Sequence, residues 1–167
     1  MIAIGFSTTA SLLSRTVRWF TKSKASHSFI MFDWLEQQWV VEAEAVGVQI
    51  VPLSNFLARK NIIVKTYELP NITMEDLKLV LQDSGTGYDY TGLFGAILPI
   101  IGQWFKQKWH NPWNNAKALF CSEMIAQWLK DLELPVADNL ISEDITPEKL
   151  WDFLESNLDS ELFKSHV

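Results

Sequence analysis

Cysteine is nearly absent from this chain: among 167 residues there is one, Cys121. A lone thiol excludes an internal disulfide and a cysteine-built zinc site, and no metal or cofactor is expected. Positive charge is also short. Fourteen Lys and Arg stand against twenty Asp and Glu, a formal net charge of −6, the wrong sign for a general nucleic-acid binder. Long hydrophobic runs are missing too. The most apolar stretch, Leu93 to Phe105, is interrupted by Gly95, Pro99 and Gly102 and is too short to span a bilayer as a helix. The opening Met1-Ile2-Ala3-Ile4-Gly5-Phe6 has no basic n-region, so it does not read as a signal peptide. A soluble chain, cytoplasmic at synthesis, is the expectation. What is abundant is apolar and aromatic: 48% of residues are hydrophobic and eight are tryptophan. That composition fits one domain, residues 1–167, with its core at about 2–155.

Patterning predicts both strands and helices, hence an α+β fold. Ile2 to Ser7 reads as a first strand. Thr8 or Thr9 would cap a helix through Thr21, with Leu12, Leu13, Val17 and Phe20 inward. Strands follow at Ser26 to Asp33, Trp39 to Ala45, Gly47 to Pro52 and Ile62 to Leu69, rich in Val, Ile, Phe and Trp. Between the last two, Ser54 would cap a short helix to Lys60. Met74 to Gln82 reads as a helix with Glu75 and Asp76 in its first turn. Asp83 to Gly87 is a turn cluster, and an apolar helical piece follows to about Leu98. Pro99 to Asn115 is irregular and aromatic. Thr146-Pro147-Glu148 is a strong helix start, and the tail after Asn157 is expected to fray.

Cys121 lies at the start of the best amphipathic helix. Cys121, Met124, Ile125, Trp128, Leu129 and Leu132 recur at helical spacing, with Asn114 and Asn115 as candidate caps upstream. A thiol at a helix N-terminus is biased toward thiolate, the form that attacks carbonyl carbon; the alternative is a small hydrophobe filling the helix face. A cysteine nucleophile needs a base and a group that orients the base. Of three histidines, His166 is next to the C-terminus and His110 lies in the aromatic segment, whereas His27 opens an apolar strand, a rigid place for a base. The next strand carries Glu42 and Glu44. They share a face, so alternation cannot separate them. A turn centred on Glu36-Gln37 would put Val46 opposite His27 with Glu44 diagonal; a turn at Trp34-Leu35 would put Glu42 directly opposite.

Three short motifs resemble one family. Ser26-His27-Ser28-Phe29-Ile30, then Val41-Glu42-Ala43 followed by Gly47-Val48 and Pro52-Leu53, then Phe120-Cys121-Ser122-Glu123, resemble in this order the circularly permuted NlpC/P60 papain-like thiol hydrolases, the YiiX/YaeF-like branch. Tyr88-Asp89 resembles that family's tyrosine motif. One departure is Phe29, where the family often has glycine, which would narrow the groove beside the base. The resemblance implies a papain-like antiparallel sheet packed on the nucleophile helix. It implies a cysteine peptidase or amidase working through Cys121, His27, Glu42 and a thioester, with Tyr88 as an oxyanion or substrate contact. Glu44 is the alternative triad acid. The implied substrate is a peptide or peptidoglycan fragment; the alternatives are an acyl-lipid, hydrolysed or used as acyl donor, and a non-catalytic binding module. Leu93 to Trp113, with its tryptophans and lysines, is the candidate for peripheral membrane contact.

Overall fold

The computed structural model describes residues 1–10, 19, 23–44, 47–81, 121–140, 145–158 and 163–166. These form six strands: β1 Ile2–Thr8, β2 His27–Trp34, β3 Gln37–Glu44, β4 Gly47–Pro52, β5 Ile62–Glu68 and β6 Lys164–His166. The helices are α1 Leu53–Ala58, α2 Met74–Leu81, α3 Cys121–Asp131 and α4 Pro147–Ser156, with a 3-10 turn at Pro135–Asn139. The strands make one sheet in the order β4-β3-β2-β1-β5-β6, every neighbouring pair antiparallel. The architecture is α+β.

The sheet is apolar on both faces, which is why β1 and β2 read as near-continuous hydrophobic runs rather than alternating ones. On one face Ile4, Phe6, Ile30, Phe32, Val41 and Ala43 meet Met124, Ile125, Trp128 and Leu129 of α3 and Leu150, Trp151 and Leu154 of α4. Trp128 Nε1 donates to the Asp76 carbonyl at 3.0 Å, tying α3 to α2. Lys65 and Tyr67 of β5 both donate to Glu155 of α4, at 2.6 and 2.8 Å. On the other face a smaller cluster holds Ala3, Phe29, Met31, Val40 and the α1 residue Phe56.

Several expectations are corrected in detail. The β2–β3 turn falls on neither expected pair. Trp34 pairs with Gln37, so Leu35 and Glu36 are the two turn residues, both at positive φ (50° and 59°). That is the backbone of the tight hairpin turn that matches strand twist, made without glycine or asparagine. α1 is capped by Pro52 rather than Ser54 and makes no side-chain cap bond. The chain after Pro135 is a 3-10 turn. The tail does not simply fray: Lys164–His166 pairs with Thr66–Glu68 as the edge strand. Residues 11–18, 20 and 21 of the expected helix through Thr21, and the whole stretch from Asp83 to Phe120, Tyr88 and His110 included, lie outside the described residues. No helix among the described residues is long and apolar enough to cross a membrane.

Candidate active site

His27 is the first residue of β2. Its place is fixed by the neighbouring strand, since Ser26 N–H donates to the Ser7 carbonyl at 3.0 Å and Ser7 stands directly opposite His27. The register of β1 against β5 slips between Phe6 and Ser7, so a bulge adjoins this end of the sheet. Ser7 is buried, and its hydroxyl has no hydrogen-bond partner among the described residues. The imidazole stacks on Phe56 of α1, with ring centres 6.3 Å apart and planes at 25°. Phe56 in turn leans on Phe29 at 4.7 Å.

Phe29 does not line a groove. It is fully buried, and its ring fills the space where a side chain on its partner Gly5 would begin: a Cβ there would lie 2.3 Å from Phe29 Cζ. The large residue on β2 is matched by a small one on β1, an exchange of volume across one strand pair.

Glu42 reaches the same site from β3. The β2–β3 ladder is paired from Trp34–Gln37 to Ile30–Val41. The same register continued past Val41 sets position 44 opposite His27 and Glu42 on the diagonal, and it is Glu42 that makes the bond. Glu42 has no exposure to solvent, and its two oxygens are both used. Oε2 accepts from His27 Nε2 at 3.1 Å, and Oε1 accepts from the Arg59 guanidinium. Burying a lone carboxylate would cost several kcal/mol; two cationic donors offset that. Although burial alone would raise its pKa, the hydrogen bonds and charges of His27 and Arg59 hold Glu42 below the usual carboxylate range. Glu44 ends β3 opposite Gly47; its side chain lies outside the described residues.

Cys121, the first described residue of α3, is 6% exposed. α3 lies against β2 and β3, and Ser28 of β2 meets Ser122 of α3, Oγ to Oγ at 3.2 Å. The sulfur lies 4.0 Å from Ser122 Oγ, and His27 and Ser28 are the groups whose charge and hydrogen-bonding capacity act on it. Because Glu42 occupies Nε2, the nitrogen left for sulfur is Nδ1. Burial would push the thiol pKa up. The charge and hydrogen bond of His27, then the Ser28 donors, outweigh it and bring Cys121 down to about 7. Burial would likewise depress His27; the facing sulfur, by charge and hydrogen bond, and then Glu42 raise it to about 10. Between those values the pair is held as thiolate and imidazolium.

Among solved structures, the chain is similar to the metalloprotein YiiX from Escherichia coli O157:H7, a DUF1105 protein. The TM-score is 0.58 over 99% of this chain and 94% of that one, at 16% identity. The fold is of the YiiX type. No protein-family model and no curated protein sequence matches the chain. At this identity the likeness to YiiX concerns the fold alone. Within the YiiX-type fold, three residues expected from sequence converge: Cys121, His27 and Glu42. His166 is placed elsewhere, on the β6 edge opposite Thr66.

Sequence reasoning missed two contributors, Arg59 and Ser28. The signal for Arg59 was available: a carboxylate inside an apolar strand demands a cation, and Arg59 follows the next helix. Nothing local pointed to Ser28, whose role depends on where α3 docks.

Proposed function

We propose that the chain is a papain-like cysteine hydrolase acting on an amide or ester carbonyl; cell-wall peptide is the substrate class that the sequence resemblance implies. One observation carries the reading: a fully buried carboxylate, Glu42, is bonded to His27, the group whose charge acts most strongly on the only thiol in the sequence. A hydrophobe filling a helix face would need none of this. The Cys121 thiolate adds to the carbonyl carbon, and the tetrahedral intermediate collapses as the His27 imidazolium gives its proton to the departing amine or alcohol. A thioester remains. Neutral His27 then takes a proton from water as the oxygen attacks the thioester. Cys121 leaves as thiolate, and imidazolium is restored. Glu42 keeps His27 aimed and favours its cation in both half-reactions. Tyr88 is carried by resemblance as an oxyanion or substrate contact, and an acyl-lipid would react through the same steps.

YiiX is described as a metalloprotein, and the donor set here does not suit a metal. Both Glu42 oxygens are committed, one of them to a guanidinium that would repel a cation.

Labelling by a thiol-directed acyl probe tests the proposal. Wild-type protein should form a Cys121 adduct rapidly, and His27→Ala should slow it by roughly 100-fold or more. Equal rates would favour a binding module that retains the fold.

A further inference from the structure

Arg59 stands just beyond the end of α1, and its backbone is set by local contacts. Asn61 Nδ2 donates to the Phe56 carbonyl at 3.0 Å, Lys60 N–H donates to the Leu57 carbonyl at 2.9 Å, and Lys60 turns the chain at φ 64°. The side chain then runs back over Phe56, with the guanidinium carbon 5.6 Å from the ring centre. His27 rests on the same ring. One aromatic residue is thus the platform for both partners of Glu42.

We infer that Arg59 is a positioning residue of the active site, locking Glu42 Oε1 so that Oε2 stays aimed at His27 and the carboxylate stays ionised throughout turnover. This rests on the hydrolase reading and extends its triad to a fourth member. During the cycle His27 passes through its neutral form, and a buried carboxylate whose sole partner has just lost its charge would tend to take up a proton. Arginine never loses its charge in the working pH range. It therefore holds Glu42 as an anion while the imidazole is neutral, and its planar fork fixes which oxygen is left for His27. The charged groups that act on Glu42 are His27 from β2 and Arg59 after α1; Cys121 from α3 acts on His27 in turn, and the residue paired with Glu42 on β4 is the uncharged Gln49.

The test is the pH profile of Cys121 alkylation together with steady-state hydrolysis of a small amide or ester reporter, in wild type, Arg59→Met, Arg59→Gln and Arg59→Lys. Without the guanidinium, Glu42 protonates at higher pH. The acid limb of alkylation should therefore move up by about one pH unit, and kcat should fall roughly 10- to 100-fold with KM little changed. Arg59→Lys should recover most of the rate. Arg59→Gln, which is polar but shorter and uncharged, carries the same expectation should Arg59→Met fail to fold. An activated wild-type thiol whose profile and kcat stay within about twofold in the folded neutral variants overturns the role of Arg59 alone. An ordinary thiol in the wild type overturns the hydrolase reading and this role with it.

Discussion

Gly5→Ala is a one-carbon change that should be felt at His27. The added methyl would lie 2.3 to 2.9 Å from three ring atoms of Phe29, well inside van der Waals contact. The ring tip of a phenylalanine can often swing away. Here it cannot do so freely, because Phe29 is fully buried and Phe56 leans on it at 4.7 Å. Moving Phe29 therefore moves Phe56, on which His27 and Arg59 both rest. Overpacking of a closed core typically costs about 1–3 kcal/mol, and the upper half of that range is expected because relief passes through two aromatic rings. Urea unfolding of Gly5→Ala, Phe29→Leu and the double variant measures it. Shortening Phe29 opens room for the new methyl, so the double variant should be more stable than the sum of the singles by roughly 1–2 kcal/mol. Alkylation of Cys121 should slow in Gly5→Ala and recover in the double variant. A loss below about 0.5 kcal/mol with additive behaviour would refute the claim that Gly5 and Phe29 exchange volume.

Three further outcomes follow from the same geometry. Glu42→Gln should lower kcat roughly 100- to 10,000-fold, because an amide can hold the ring but stabilises its cation poorly, whereas Glu44→Gln should stay near wild type; steady-state kinetics on the pair would move the role to Glu44 if the order reversed. The pH dependence of kcat/KM should be bell-shaped. The lowered Cys121 pKa makes thiolate available above about 7 and loses it as pH falls through that value. The raised His27 pKa keeps the imidazolium until about 10 and loses it above; a single limb rising near the ~8.5 of a free thiol would contradict both assignments. Thr146→Ala should cost about 1 kcal/mol by thermal or urea unfolding, since the Thr146 hydroxyl accepts from Lys149 N–H at 3.2 Å at the start of α4; no change would mean that the cap contributes nothing.

Much of this fold was legible because the relevant signals are local. The strands β1 and β2 are apolar runs, β4 and β5 are rich in Val and Ile, and α4 announces itself with Thr146-Pro147. Cys121, His27 and a carboxylate could be named together because few residues were eligible: one cysteine, three histidines, two glutamates on one strand. What could not be read is set by tertiary context. Leu35 and Glu36 hold left-handed backbone that neither residue favours alone, so the hairpin register could not be counted from turn chemistry. β6 is three residues long and polar, and it exists because the β5 edge is there to receive it. The effect of Phe29 depended on Gly5, a position distant in sequence and adjacent only across the sheet.

The most direct test of the account is the titration of Cys121 in the folded protein, followed by thiolate ultraviolet absorbance in wild type and His27→Ala. A wild-type transition at about 7 is expected. Removing the imidazole should send the transition upward past the ~8.5 of a free thiol, because burial then acts unopposed. A wild-type transition already at the free-thiol value, or one that His27→Ala leaves in place, would contradict the claim that these two residues form a thiolate–imidazolium pair.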